Sequence, residues 1–330
     1  MKSFPVRFEE IAAPERLLAA WRRYRSGKRR RPAVAWFGFD AERRLLRVAE
    51  SLLGGTYRHG RYRLLEVRDP KPRLIAVATV GDRVVHRAVY DALAPHLNRS
   101  FIADTYACLP GRGSHRAVLR FLELLRRFPC LMHLDIRRYF PSADHQILLG
   151  LIAPRLRDRR IIALLETILA SGLELYLRPE VAAFYEISPR ELRERPRGLP
   201  IGNLTSQWWG NLYLDGLDQF VKRELKVRGY SRYMDDMVFF ADEPATLRRW
   251  RGEVRDWLWE YRRLQLNVRK GHVRSSEFPQ SYLGYRVTRQ GHDLGPKAVR
   301  RFRRQLPGLA AGDLRRMRRA LASWRGTISF

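Results

Sequence analysis

Two adjacent carboxylates, Asp235 and Asp236, lie between apolar, β-prone arms in the stretch Tyr230-Ser231-Arg232-Tyr233-Met234-Asp235-Asp236-Met237-Val238-Phe239-Phe240. The pattern reads as a tight β-hairpin with both acids at its tip. Neighbouring carboxylates repel, so keeping both ionised is costly unless a cation neutralises them. Hard oxygen donors of this kind suit Mg²⁺. Nucleotidyl transfer needs two such ions, one for the attacking 3′-oxygen and one for the leaving pyrophosphate. An isolated Asp-Asp pair is ordinarily a solvated acidic turn, so the reading depends on a third acid. Asp135 supplies one near the end of the apolar segment Leu131-Met132-His133-Leu134-Asp135-Ile136, which reads as a strand. A strand ending in an acid and a hairpin tipped with two can gather all three at one sheet edge, where catalytic groups usually sit. The ordinary alternative for Asp135 is a turn cap. Phe140, five residues further on, is suited to stack under a nucleotide sugar and exclude a 2′-hydroxyl; its ordinary role is that of a core aromatic.

The surrounding chain supplies elements that position these groups. Glu15 to Arg31 and Ala41 to Leu53 read as basic amphipathic helices separated at Arg31-Pro32. Tyr57 to Val80 reads as β-rich, interrupted at Pro70 and Pro72, and Gly81-Asp82 as the cap of a following helix. Helices are expected from His115 to Arg127, Asp144 to Leu156 and Arg160 to Ala170, with Ser171 to Arg197 irregular and charged. Gly198-Leu199-Pro200-Ile201-Gly202-Asn203 opens a long helix reaching about Lys226, and the acidic hairpin follows. A helix near Pro244 to Arg263, a strand from Ser281 to Thr288 and a basic helical tail from Pro296 to Trp324 complete the reading.

Lys and Arg total 64 against 34 Asp and Glu, a formal net charge of +30 over 330 residues. A compact body of that charge calls for a polyanion, and nucleic acid is the leading partner. Runs such as Lys28-Arg29-Arg30-Arg31 and Arg300-Arg301-Phe302-Arg303-Arg304 are individually ordinary solvated faces; their spread along the chain carries the argument. Cys108 and Cys130, the two cysteines, match neither a zinc pattern nor a disulfide framework. No apolar run reaches membrane-spanning length, and the N-terminus lacks a signal-peptide stretch. The expected location is therefore cytoplasmic, in a bacterial or phage-encoded setting, with no membrane partner.

Seven blocks then occur in a telling order. They are Lys71-Pro72-Arg73 with Asp82-Arg83-Val84-Val85, Gly111-Arg112-Gly113-Ser114-His115-Arg116-Ala117, and Asp135 to Phe140; then Gly198 to Gln207, Tyr233 to Asp236, Leu266-Asn267-Val268-Arg269-Lys270 and Tyr282-Leu283-Gly284-Tyr285. The series, over roughly residues 66 to 288, resembles the reverse transcriptases. That resemblance implies an α+β right-hand polymerase fold. Fingers would occupy 1–129, a palm of antiparallel sheet plus helices 130–288 with an insertion near 142–198, and a short helical thumb 289–330. It implies that Asp135 and Asp235 bridge two Mg²⁺ ions, with Mn²⁺ the alternative. Asp236 would lie near the primer end, and the Ile136 carbonyl would complete the coordination. By the same resemblance Lys71 and Arg73 hold the incoming triphosphate, Phe140 is the sugar gate and Lys270 is a candidate general acid for pyrophosphate. Ile201, Gly202 and Gln207 belong to the substrate-binding block.

That block carries a finer resemblance. Most reverse transcriptases, including retroviral, group II intron and retron types, have Gln before the Gly and Pro at the last position. Here these are Ile201 and Gln207. The variant resembles the enzymes of diversity-generating retroelements, which copy a template RNA with errors concentrated at adenines before the cDNA replaces a variable region of a target gene. The implied partners are template RNA and cDNA, dNTPs and a small, basic, ring-forming accessory protein. Past the expected thumb no length remains for a ribonuclease H or endonuclease domain, an expectation against retroviral and complete intron-encoded proteins. A retron-like or antiphage reverse transcriptase is the alternative within the class. A catalytically silent RNA-binding scaffold is the alternative outside it; the net charge suits that equally, and retention of three acids counts against it.

Overall fold

A computed structural model describes residues 3–68, 72–310, 317–318 and 321–322. Lys71, and most of the expected helical tail beyond Ala310, lie outside the described residues. The architecture is mixed α/β, with three short antiparallel sheets among many helices. It divides into two compact units of three segments each: Met1–Phe101, Arg137–Gly216 and Trp257–Gln265 form the first, and Ile102–Ile136, Leu217–Asp256 and Leu266–Phe330 the second. Among the described residues no helix is long and apolar enough to cross a membrane.

In the first unit, β1 (Arg63–Val67) pairs antiparallel with β2 (Arg73–Val77), Leu65 opposite Ile75. The helix Ala41–Leu53 has the expected bounds because Leu45, Ala49 and Leu52, spaced for one face, are buried. Pro32 both breaks the chain and starts a helix, Pro32–Phe39, since proline is tolerated in a first turn. The helix Val80–Leu97 begins earlier than Gly81-Asp82 implied: its cap is Thr79, whose side chain accepts from the Asp82 amide. The stretch Ser171 to Arg197 is not irregular. The helix Arg159–Tyr176 runs into it, and two short helices follow, Pro179–Tyr185 and Pro189–Glu194. Their buried Val181 and Leu192 join Tyr62, Ala76, Ala78, Leu175 and Tyr176 in the core cluster that seats the β1–β2 ribbon.

The second unit is built on a four-stranded sheet. Its strands are β3 (Cys130–Asp135), β4 (Gly229–Tyr233), β5 (Asp236–Ala241) and β6 (Val273–Ser275), ordered β4-β5-β3-β6. The helix Ser114–Arg127 lays Ala117, Phe121, Leu124 and Leu125 against a cluster that includes Leu131, Val238 and Phe240. The same cluster takes Tyr282, Tyr285 and Val287 from a second sheet of β7 (Gln280–Tyr282), β8 (Tyr285–Val287) and β9 (His292–Leu294). The expected single strand Ser281 to Thr288 is thus two, folded back at Leu283 and Gly284, both of positive φ (47° and 91°). Met237 to Phe240 are all fully buried, so β5 is covered on both faces and its end is rigidly placed.

Candidate active site

In the second unit, β3 and β5 are registered so that Asp135 stands opposite Asp236. Asp236 is also opposite Tyr233 on β4, leaving Met234 and Asp235 as the two-residue tip. Met234 has φ of 58°, a left-handed conformation that this kind of tight turn demands and that glycine ordinarily supplies. The strain at Met234 is the cost of presenting Asp235 on a two-residue tip. Burial, then the Asp135 charge and that of Asp236, push the Asp235 carboxyl up to about 6; Lys270 offsets this in part. Lys270 Nζ is 3.0 Å from Asp135 Oδ1. Asn267 donates from its carboxamide to Asp135 Oδ2 (3.0 Å) and from its amide to the Asp135 carbonyl (2.7 Å). Leu266 bridges to Ile136, so Leu266 to Lys270 runs beside the end of β3.

A buried ion pair supports the hairpin from below. Arg232, fully buried, donates to both carboxylate oxygens of Asp218 (2.8 and 2.6 Å) and to the Met234 carbonyl (2.8 Å). Tyr230 and Thr105 hydroxyls donate to the same carboxylate. The turn carbonyl is therefore tied to a fully satisfied charge pair, which limits movement of the tip.

The first unit gathers the expected nucleotide-side residues separately. The Ala76 amide on β2 donates to the Ile201 carbonyl (2.7 Å), and the Leu199 amide to the Phe140 carbonyl (2.8 Å). These bonds bring Ile201, Gly202 and Phe140 to the strand that carries Arg73. Gly202 has φ of 119°, and a Cβ there would meet the Ala76 carbonyl oxygen at 2.7 Å, so only glycine fits. Arg73 and Gln207 are exposed, and Ile201 and Phe140 half-buried. Behind the loop, Asn203 donates to the Tyr62 hydroxyl (2.6 Å). Thr205 Oγ1 is 2.9 Å from His86 Nδ1, and His86 Nε2 is 3.1 Å from His59 Nε2. His59 Nδ1 meets the Gly60 carbonyl (2.7 Å), an acceptor, so it must carry a proton. The chain then has one neutral assignment: Thr205 donates to His86, His86 to His59 and His59 to Gly60.

The structure sets Asp135 opposite Asp236, puts Asp235 on the adjoining tip and brings Lys270 Nζ to 3.0 Å from Asp135. Arg73, Phe140, Ile201 and Gly202 gather in the other unit, and Lys71 lies outside the described residues. Sequence reasoning missed Asn267, which stood inside a quoted block, and the Arg232–Asp218 pair, whose spacing of 14 residues carries no periodic signal. Among the described residues no group of three or more His, Cys, Asp or Glu is already arranged to hold a metal ion. The donors nevertheless suit a hard cation: Asp236 Oδ1 is buried with no hydrogen-bond partner, and Asp235 resists ionisation beside two other carboxylates.

A hairpin pair of acids thus stands beside a strand-end acid on a four-stranded antiparallel sheet. The chain belongs to the reverse transcriptase (RNA-dependent DNA polymerase) family, whose sequence model matches residues 67–302. It is 24% identical over 292 residues to Protein YkfC of Escherichia coli, covering 76% of this chain and 73% of that protein. It is likewise 24% identical over 187 residues to the group II intron-encoded protein LtrA of Lactococcus lactis, covering 56% of this chain but 29% of LtrA. In fold it is similar to the telomerase of Candida albicans solved with a fragment of telomeric RNA (TM-score 0.50, 10% identity). That match covers 72% of this chain and 46% of the telomerase chain.

Proposed function

We propose that the protein is an RNA-directed DNA polymerase of the diversity-generating retroelement type, making error-prone cDNA from a template RNA. The observation that carries the polymerase reading is the register of Asp135 against Asp236 with Asp235 on the tip between strands. Asp135, Asp235, Asp236 and the Ile136 carbonyl would hold the divalent cations. When bound, these supply Lewis acidity at the primer 3′-oxygen and at the leaving pyrophosphate. Asn267 orients Asp135, and Arg232 fixes the tip. Lys270 brings positive charge to the corner and is the proton donor for pyrophosphate. Lys71 and Arg73 bind the dNTP triphosphate, Phe140 excludes the ribose hydroxyl, and Ile201, Gly202 and Gln207 shape the pocket around sugar and template base. Residues 1–129 serve as fingers, 130–288 as palm with its insertion near 142–198, and 289–330 as thumb. A small, basic, ring-forming protein is the proposed accessory partner. Divalent-dependent primer extension on an RNA template, supplied with that partner and the cognate RNA, should be lost in Asp235→Ala by roughly 1,000-fold or more. No extension in the parent under any divalent ion overturns the polymerase reading.

The retroelement reading rests on Ile201 and Gln207. A Gln at 201 offers hydrogen bonds that penalise mispairing, whereas Ile offers shape alone. Ile201→Gln should lower misincorporation opposite template adenine by roughly 5- to 10-fold, the worth of one hydrogen bond. Sequencing the cDNA made from co-purifying RNA measures this directly. Equal adenine error rates in parent and variant would sink the account, and errors spread evenly over all bases would reduce the protein to a reverse transcriptase of another type.

A further inference from the structure

Within the first unit lies a cavity of about 420 Å³ walled by Arg137, Arg138, Arg195, Arg197, Arg263 and Trp259. That volume falls in the range of small-ligand sites. Carboxylates answer part of the charge: Arg138 pairs with Glu186, Arg197 with Glu191 (2.6 Å) and Arg195 with Asp144 (2.5 Å). One terminal nitrogen of Arg195 is buried with no hydrogen-bond partner. Arg137 and Arg263 are exposed and form no ion pair among the described residues. Trp259 is 50% exposed, with the Arg263 guanidinium 5.7 Å from its ring.

Arg138, Glu186 and Arg263 have φ of 49°, 49° and 54°, three of the seven non-glycine residues with positive φ among the described residues. Met234 at the acidic tip is another of the seven. Glu186 caps the helix Pro179–Tyr185, and Arg263 follows the helix Pro244–Arg262 with its amide on the Trp259 carbonyl, so these two shape the wall by ending helices there. An exposed indole offers a stacking face that any base can use, and guanidiniums match phosphate oxygens in a planar fork. The arginines come from three separate stretches of chain, which suits a phosphodiester path better than a single terminal triphosphate.

We propose that this cavity binds an unpaired nucleotide of single-stranded RNA, with its base on Trp259 and its flanking phosphates on Arg137 and Arg263. The site uses none of the three acids, so it stands or falls independently of the polymerase chemistry. Fluorescence anisotropy with a labelled single-stranded oligo(U) and an RNA duplex of equal phosphate number tests it on the full chain. Trp259→Ala should weaken oligo(U) binding about 10-fold and duplex binding less than about 2-fold, while Trp259→Phe keeps most of the affinity. Arg137→Ala with Arg263→Ala should reduce the salt dependence of oligo(U) binding by about one to two ions. Unchanged oligo(U) affinity in Trp259→Ala, or equal loss for both probes, overturns the proposal. Displacement of oligo(U) by micromolar ATP also overturns it, in favour of a free-nucleotide site. Should Trp259→Ala not fold, photocrosslinking of oligo(U) to the parent decides: a crosslinked peptide containing Trp259 supports the site, and its absence refutes it.

Discussion

The acidic corner of the second unit and the Gly198 to Gln207 loop of the first solve opposite electrostatic problems. At the corner, Asp235 is pushed to about 6 by burial and by Asp135 and Asp236, and a buried oxygen of Asp236 has no hydrogen-bond partner, with His133 Nδ1 3.8 Å away. Around the loop, Thr205, His86, His59 and Gly60 pass hydrogen bonds in one direction in their neutral assignment, and Asn203 is anchored on Tyr62. The corner stores repulsion that a cation would relieve. The loop stores shape in a neutral, satisfied network. Under the proposed function, the groups that do chemistry are held under electrostatic tension, whereas those that discriminate are held still.

Arg232 tests how much of that tension the scaffold bears. Arg232→Met leaves Asp218 buried and unpaired, and should cost about 3–5 kcal/mol in urea unfolding. Adding Asp218→Leu removes the stranded charge and should recover most of the loss. A double variant as unstable as the single one would show that lost packing, not uncompensated charge, is the cause, and the proposed strut beneath the tip would fail with it.

The contrast also explains what was legible in the sequence. The tip stood out because two acids interrupt otherwise continuous apolar arms, and Ala41–Leu53 because its buried positions repeat at helical spacing. Ser171 to Arg197 was obscured by its charge density: Val181 and Leu192 alone carry its two short helices into the core, too few for a periodic signal. Proline at the start of each was the available cue. Asp82 looked like a helix cap, but the cap is Thr79, and the Asp82 carboxylate accepts from Thr79 and, from distant chain, from Tyr57 and Gly60. The sheet order β4-β5-β3-β6 and the partnership of Arg232 with Asp218 arise only from tertiary packing. An arginine beside an active-site motif in so basic a chain gives no hint that it is fully buried.

The two regions should also respond to pH with opposite signs. Asp235 rises from an ordinary 3.8 to about 6, so between these values the native state holds a proton that the unfolded chain has released. Its contribution to stability therefore falls as pH rises through that window. Burial, with the Arg83 charge nearby, lowers His86 from 6.5 to about 3, so the unfolded chain takes a proton that the native state refuses. Its contribution falls as pH drops below about 6.5. In divalent-free buffer Asp235→Asn should gain on the order of 3 kcal/mol at neutral pH, the worth of relieving that shift, while abolishing activity. Its stability should then rise more steeply with pH between about 4 and 6 than the parent's, because only the histidine slope remains. His86→Gln should do the reverse, flattening the loss of stability on acidification by roughly 1 kcal/mol between about pH 6.5 and 5.5. Urea melts of the three proteins across that range measure both slopes. If Asp235→Asn runs parallel to the parent, the tip carboxyl is relaxed in the native state, and the comparison between a tense corner and a neutral loop is lost.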